Sequence, residues 1–217
     1  MRSYDEYCAI AKSLDVIGDR WTLLIVRELI LRGPSRYTDL RNGLPGIASN
    51  LLADRLRELE HAGVVTREDA PPPIATTLFH LTPRGEQLRP VLEDLTHWGL
   101  PLMSEQKPRD AVQSHWLAWA LELMLVDRQP DASPMTIELR IGDQPIVVEG
   151  RNGYVHTRLG PADDPDATLS GPPRPTLGVL LGLLELTDAK AAGIKFQGDP
   201  AILERLGSQL APAASPA

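Results

Sequence analysis

Residues 32–57 carry five arginines, no lysine and only two acidic residues, in a chain whose net charge is −7. A planar guanidinium donates paired hydrogen bonds to a phosphate, so this segment suits the backbone of a nucleic acid. The negative charge of the whole chain argues against nucleic-acid binding, but the local distribution of charge matters more than the sum. The alternative is that these are ordinary surface arginines.

The run GIASNLLADRLRELEHAGVV at residues 46–65 places apolar residues at helical spacing. Short polar side chains near the N-terminal end of such a helix can enter the major groove of DNA and contact base edges. Taken alone, the run is equally an amphipathic surface helix. The face opposite its apolar residues consists of Ser49, Asn50, Ala53, Asp54 and Arg57.

The neighbouring elements must hold this helix in position. Periodicity and turn residues predict two helices, a short helix, a tight turn at residues 44–46, the helix above, a hairpin and a last helix over residues 82–103. The hairpin strands are predicted at residues 64–67 and 76–81, around a loop with prolines at 71–73. This order is that of a helix-turn-helix followed by a wing. The residues of the first helix expected to face the core are Tyr7, Ile10, Ala11, Leu14 and Ile17.

Three runs carry a specific resemblance: CAIAKSLDVIGDRWTLLIVREL, RYTDLRNGLPGIASNLLADRLRELEHAGVV and LFHLTPRGEQLRPVLEDLTHWG. Together, over residues 7–103, they resemble the HxlR-type winged helix-turn-helix family of bacterial transcription regulators. The resemblance implies a homodimer, with the first and last helices forming the interface. It also implies that two recognition helices read double-stranded DNA at a near-palindromic site.

The same resemblance assigns candidate roles to residues. The N-terminal part of the recognition helix faces bases, and arginines around the turn lie near the DNA backbone. The candidate DNA-binding residues are Arg36, Arg41, Ser49, Asn50, Ala53, Arg57 and Arg67.

Two positions qualify this assignment. Arg55 matches a recurrent arginine of the family, and an internal tie is the alternative to a DNA contact there. The wing departs from the family pattern, because residues 70–77 contain no basic residue and Arg67 lies at the wing base. We therefore expect weak contact between wing and phosphate, and a modest salt dependence of binding.

Residues 113–210 are predicted to form an α+β domain, with an antiparallel sheet and helices on one face. The order of a strand (DATLSG), a helix (GVLLGLLEL) and a further run (AAGIKFQGD) is similar to the sterol-carrier-type lipid-binding fold. This resemblance implies an apolar cavity and a small apolar ligand. The alternatives are side chains that only fill a core, and a dimerisation domain with no ligand. The candidate lining residues are Trp116, Trp119, Leu123, Met124, Leu180, Leu183 and Leu184.

The predicted organisation is a mainly α DNA-binding and dimerisation domain at 1–103, a linker at 104–112, the α+β domain at 113–210 and a disordered tail at 211–217. The sequence shows neither a signal peptide nor a membrane-spanning run, so we expect a cytoplasmic protein. The five histidines lack metal-ligand spacing, and no nucleotide-binding or hydrolase motif appears. We expect no metal, no cofactor and no enzymatic activity.

Cys8 is the only cysteine, so no intrachain disulfide is possible. It lies at the start of the first helix, where free backbone N–H groups lower a thiol pKa. Some relatives in the resembled family carry a redox-sensing cysteine near this position. A structural thiol and a redox sensor, acting through an intersubunit Cys8–Cys8 bond, are the two alternatives.

Two classes of function follow. The first is a DNA-binding transcriptional regulator, modulated by a small apolar ligand in the second domain or by oxidation of Cys8. The second is a carrier of lipid or another apolar ligand, in which the winged helix serves only for dimerisation.

Overall fold

The computed structural model describes residues 3–70, 76–104, 107 and 109–209. Two units make up the chain, Met1–Thr96 (unit 1) and His97–Ala217 (unit 2), and each is described by itself. The proline-containing loop predicted at residues 71–73 and the tail predicted at 211–217 lie outside the described residues.

Unit 1 has the winged helix-turn-helix fold that its pattern of helices and hairpin predicts. Its buried core is mainly Leu, Ile and Val from the second, third and fourth helices and the first hairpin strand. The elements are α1 (Ala9–Ile17), α2 (Thr22–Arg32), β1 (Ser35–Arg36), α3 (Tyr37–Gly43), α4 (Ser49–His61), β2 (Val65–Ala70), β3 (Thr76–Leu81), α5 (Pro83–Glu86) and most of α6 (Arg89–Gly99). The last residues of α6 and the 3-10 turn that follows it at Leu100–Ser104 belong to unit 2.

The wing sheet has a third strand that the sequence pattern did not reveal. Ser35 does not cap the third helix, because it lies in β1, which pairs with β3 and places Ser35 opposite Phe79. Gly33 has a φ of +70° and lets the chain turn sharply after α2. The N-terminus of α3 is capped instead by Asp39, whose carboxylate accepts a hydrogen bond from the backbone N–H of Arg36 at 3.1 Å.

The last predicted helix is divided into α5 and α6. Thr82 caps α5 by accepting a hydrogen bond from the N–H of Gly85 at 3.1 Å, and Pro83 occupies the first turn. The break has a local cause, because Pro90 has no N–H to donate to the carbonyl of Glu86 and is tolerated only in the first turn of a helix. A new helix therefore begins at Arg89.

The prediction that one row of α1 residues faces the core is wrong for a single copy of the chain, in which most of these residues are exposed. Ala11 is the only buried residue of the helix. Tyr7 precedes the helix and is fully exposed, Ile10 is 72% exposed and Leu14 is 42% exposed. The periodicity indicates correctly that this face is apolar, but it does not indicate what covers it.

Unit 2 contains a five-stranded sheet in the order β7-β6-β5-β8-β9 and a two-stranded sheet of β4 and β10. The elements are α7 (Ser114–Met124), β4 (Leu125–Asp127), β5 (Met135–Arg140), β6 (Ile146–Arg151), β7 (Tyr154–Leu159), β8 (Ala167–Ser170), α8 (Pro173–Leu180), α9 (Leu186–Ala191), β9 (Lys195–Gly198), α10 (Ala201–Glu204) and β10 (Leu206–Ser208).

The predicted antiparallel sheet is in fact mixed, because β8 runs parallel to β5. The chain leaves β7 and returns through residues 160–166 to the starting end of β8. This crossing segment is fixed at two points: Glu138 of β5 accepts a hydrogen bond from Ala162 N–H, and Asp166 accepts one from Thr136 N–H, both at 2.7 Å. The hydrogen bond from Ala162 and the guanidinium of Arg140 lower the pKa of Glu138, so the buried carboxylate stays charged.

Buried residues of α7, α8 and α9 share one core with one face of the five-stranded sheet. Its members are apolar side chains at alternate positions of the strands, as expected for a sheet covered on that face. They include Leu121, Ile137, Val148, Leu169 and Leu180.

Two short strands of unit 2, β4 and β10, each follow shortly after a helix. α7 ends at Met124 and the chain continues into β4, and the terminal helix is only the four residues of α10. β4 pairs antiparallel with β10, with Leu206 opposite Asp127. Local periodicity does not report a pairing between segments so distant in sequence.

A side chain of α7 covers part of the edge strand β7. The carboxylate of Glu122 accepts hydrogen bonds from both the backbone N–H and the hydroxyl of Thr157, each at 2.9 Å. The carbonyl of Ala118 lies 3.0 Å from the same hydroxyl, so the two acceptors share its single proton. These bonds join the helix to the last strand on that side of the sheet.

Candidate nucleic-acid interface

The helix α4 buries one face and exposes the other, as its sequence pattern predicts. Leu52, Leu56 and Leu59 are buried in unit 1. The helix starts at Ser49, and its first turn is held by Tyr37, whose hydroxyl donates to the carbonyl of Ser49 at 2.5 Å. The opposite face contains four exposed residues, Ser49, Asn50, Asp54 and Arg57, and the half-buried Ala53.

Most arginines of residues 32–57 already have carboxylate partners. Arg32 pairs with Glu28 at 3.0 Å, and Arg57 pairs with Asp54. Arg55 pairs with Asp19 at 2.7 Å and also with Glu58, which is the internal tie considered for it.

Arg36 and Arg41 are the exceptions. Both are exposed, and neither forms an ion pair within the described part of the chain. Arg36 lies immediately before α3, and Arg41 lies in the last turn of α3. The two arginines thus flank the helix that leads into the turn before α4. Within residues 32–57, two of the five arginines therefore have no carboxylate partner, so the local count overstates the uncompensated positive charge.

The described part of the wing is not basic. Arg67 pairs with Glu60 at 3.1 Å, which leaves Glu68 and Asp69 as exposed charges on the same strand. Asp69 accepts a hydrogen bond from the hydroxyl of Thr77 at 2.7 Å across the hairpin. Negative charge at this surface opposes approach to phosphate, in the direction expected from the sequence.

A buried carboxylate lies behind the helix-turn-helix. The side chain of Glu28 is fully buried in α2 and pairs with Arg27 at 2.8 Å and with Arg32 at 3.0 Å. Its carboxylate lies against the end of α3, where a methyl group on Gly43 would overlap it. In the sequence, Glu28 only interrupts an apolar run, and no local signal distinguishes it from a surface glutamate.

Cys8 is exposed at the residue before α1. Hydrogen bonds from the backbone N–H groups of Ala11 and Ile10 lower the pKa of its thiol. A redox role for Cys8 stays a prediction, and it fails if Cys8→Ser responds to peroxide in DNA binding as the wild type does.

The residues predicted to line an apolar cavity in unit 2 do not form one group. Leu180 belongs to the core and Leu184 packs against it, while Met124 is buried elsewhere. Three further candidates, Trp116, Trp119 and Leu123, are partly exposed on the face of α7 that is opposite Leu117 and Leu121. Leu183 lies in the segment between α8 and α9 and is 78% exposed.

Two further features concern the described residues alone. They contain no group of three or more His, Cys, Asp or Glu side chains that could hold a metal ion. None of their helices combines the length and apolar character needed to cross a membrane.

Known proteins resemble the first part of the chain. The model of the HxlR-like helix-turn-helix family matches residues 16–107. The uncharacterized HTH-type transcriptional regulator YvaP of Bacillus subtilis (strain 168) is 36% identical over 87 residues, which are 40% of this chain and 80% of that protein. The HTH-type transcriptional regulator YodB of the same strain is 30% identical over 86 residues, or 40% of this chain and 76% of that protein. A solved structure of reduced YodB from B. subtilis covers 47% of this chain and all of its own, with 28% identity and a TM-score of 0.40.

Proposed function

Because the chain belongs to the HxlR-like helix-turn-helix family of DNA-binding transcriptional regulators, we propose that it binds a near-palindromic DNA site as a homodimer. The regulator class is thereby favoured over the carrier of apolar ligands. The observation that supports the dimer is a pair of exposed apolar rows on helices of the first part of the chain, one on α1 and one on α6.

The row on α1 requires a partner. The helix has nine residues, and only Ala11 is buried. An isolated helix of this length is marginal in water, because nucleation costs more than so few hydrogen bonds return. Burial of Tyr7, Ile10 and Leu14 against a second copy would supply the missing stabilisation.

The row on α6 has the same character. Val91, Leu95 and Trp98 follow one another at intervals of four and three residues and are exposed by 40%, 42% and 73%. This spacing puts them on one side of the helix, which is the pattern of a helix–helix contact. A two-fold dimer buries the same surface on both copies.

The dimer accounts for sequence reading by α4. Two recognition helices related by a two-fold axis enter successive major grooves, with half-sites about 10 base pairs apart. In this arrangement the N-terminal end of each α4 presents Ser49, Asn50 and Ala53 to base edges. Arg36 and Arg41 contact the flanking phosphates.

We expect Leu95→Asp to convert the dimer to a monomer, because the substitution places two charges against an apolar interface. The monomer loses the bivalent gain, so its affinity for an inverted repeat falls by about 100-fold. Sedimentation velocity measures the first change and a gel-shift titration the second. Leu159→Asp is the matched control, since that leucine is 38% exposed, close to the 42% of Leu95, and lies on neither row. A dimeric Leu95→Asp protein with wild-type DNA affinity would reject the α6 interface.

A second pair of variants tests the roles within the DNA surface. Asn50→Ala should weaken binding to the selected site by about 1–3 kcal/mol and leave random DNA unaffected. Arg41→Ala should weaken binding to all sequences. With Arg36 and Arg41 as the phosphate contacts of each copy, log K against log salt should have a slope of about −4, and Arg41→Ala should reduce its magnitude by about 2. Equal slopes for wild type and Arg41→Ala would remove Arg41 from the phosphate contacts.

Unit 2 is proposed to modulate this binding through a small apolar ligand. The support is the leucine-rich segment between α8 and α9, where exposed Leu183 adjoins Leu184 at the edge of the core. A ligand changes DNA affinity only if it binds the two conformations of the dimer unequally. A fatty acid or sterol that leaves both the melting temperature and the DNA affinity unchanged counts against that ligand class.

A further inference from the structure

The ion pair of Asp54 and Arg57 lies on the exposed face of the recognition helix. The guanidinium of Arg57 contacts the carboxylate of Asp54 three positions earlier, and the side chains are 72% and 52% exposed respectively. Asn50, Asp54 and Arg57 follow at helical intervals of four and three, so they occupy one line along α4. Whatever lies against Asn50 therefore also lies near the ion pair.

A carboxylate at this surface is costly in a nonspecific complex, because it faces the phosphates of DNA. The other acids toward the C-terminal end of α4 pair with residues elsewhere on the helix or on the wing strand: Glu58 with Arg55, and Glu60 with Arg67. The partner of Asp54 in this structure is Arg57, on the same exposed face. On DNA, the unfavourable energy of the Asp54 carboxylate is offset where the groove offers that carboxylate a hydrogen-bond donor.

The C·G base pair offers both groups the most complete set of partners: adenine also has an amino donor, but the thymine paired with it has only one acceptor, O4. In the major groove, cytosine presents an amino donor, and the guanine paired with it presents two acceptors, N7 and O6. A carboxylate accepts from the cytosine amino group, and a guanidinium donates to both guanine acceptors. In the free protein the two side chains satisfy each other, and on a C·G pair each exchanges that partner for a base.

We propose that Asp54 is a specificity-determining residue, which with Arg57 selects a C·G base pair in each half-site. This proposal rests on the proposed function, namely that α4 reads DNA as part of a dimer. Rejection contributes to this selection as well as attraction, since the reversed G·C pair puts two acceptors against the carboxylate and a T·A pair puts a methyl group and an acceptor there. The rise of a helix places Asp54 about 6 Å from Asn50 along its axis.

The test is selection of bound sequences from random duplex DNA with the wild-type chain, Asp54→Ala and Glu86→Ala. Glu86 is the matched control, because it pairs with Arg89 at the same three-residue spacing on another surface. We expect the wild type and Glu86→Ala to enrich the same inverted repeat, with a preference for C·G of about ten-fold at one position of each half-site. Asp54→Ala should lose the preference there and keep the others, and its affinity for random DNA should equal or exceed that of the wild type.

The outcomes separate this proposal from the proposed function. An unchanged motif with Asp54→Ala, or a lost preference that is not for C·G, overturns the role of Asp54 and leaves the regulator intact. A uniform loss of affinity for all sequences with Asp54→Ala also overturns the role of Asp54, because such a loss would show that Asp54 only stabilises the helix. If the wild type enriches no sequence, the dimeric reading of DNA fails, and the role of Asp54 fails with it.

Discussion

Asp127→Ala should lower the free energy of unfolding of unit 2 by about 3–5 kcal/mol, the usual result of removing one partner from a buried ion pair. Asp127 and Arg205 are 3% and 8% exposed, and two hydrogen bonds of 2.7 Å join carboxylate to guanidinium. The arginine also donates to the carbonyl of Ser133 at 2.6 Å. Removal of the carboxylate leaves a buried positive charge beside the β4–β10 pairing. Urea denaturation gives the energy, and hydrogen exchange of peptides from β4 and β10 locates the loss.

An exposed pair of the same unit provides the control. Arg158 and Glu149 lie 3.2 Å apart, with side chains that are 50% and 41% exposed. Solvent screens such pairs, so Glu149→Ala should cost less than about 1 kcal/mol. Equal losses for Asp127→Ala and Glu149→Ala would show that burial adds nothing to the Asp127–Arg205 pair.

The same pair predicts a pH dependence. The hydrogen bonds from Arg205 lower the pKa of Asp127 below its ordinary value near 3.9. A carboxylate whose pKa is lowered by folding stabilises the native state above that ordinary value, and this contribution is lost as pH falls through the folded-state pKa. The difference in stability between wild type and Asp127→Ala should therefore be constant from pH 7 to pH 5 and shrink below about pH 4.

Glu28→Ala should destabilise unit 1 by about 3 kcal/mol and abolish DNA binding near the melting temperature of the variant. The substitution leaves Arg27, whose side chain is only 18% exposed, without the carboxylate that compensates its burial. Burial lowers the pKa of Arg27 and the charge of Glu28 opposes that shift, so the arginine depends on this partner. It also opens space beside Gly43, at the end of the helix that leads to the turn. Chemical denaturation of both proteins measures the change.

Glu86→Ala is the matched control within unit 1, because Glu86 is half exposed and pairs with Arg89 at the surface. We expect a loss below about 1 kcal/mol. A similarly small loss with Glu28→Ala would mean that Arg27 and Arg32 find water or other acceptors, and that Glu28 does not hold the helix-turn-helix.

Features that depend on neighbouring residues could be predicted from the sequence. The apolar spacing of Leu52, Leu56 and Leu59 indicates which face of α4 is buried, and the alternation around the proline-containing loop indicates the hairpin. Sequence alone could not show which arginines remain free, because partners such as Asp19 and Arg55 meet only in the fold. Counting charges in one segment therefore overestimates the positive surface.

The pairing of distant segments was also beyond local patterns. β4 and β10 are separated by most of unit 2, and each is only three residues long, so neither has a recognisable strand periodicity. The parallel pairing of β8 depends on a crossing segment whose glycine and prolines indicate a turn but not its direction. The apolar row of α1 illustrates a third limit, since periodicity shows that a face is apolar without showing which chain covers it.

The hydrogen bonds between Glu122 and Thr157 also affect the behaviour of the protein at high concentration. A strand at the edge of a sheet presents unpaired N–H and C=O groups, and these can recruit a strand from another molecule and lead to aggregation. In β7 the carboxylate of Glu122 already occupies the N–H of Thr157, and the N–H of Asp127 donates to the carbonyl of Gly153 just before the strand. One N–H of β7 and the carbonyl just before the strand are thus occupied within the molecule, which disfavours strand addition at these positions.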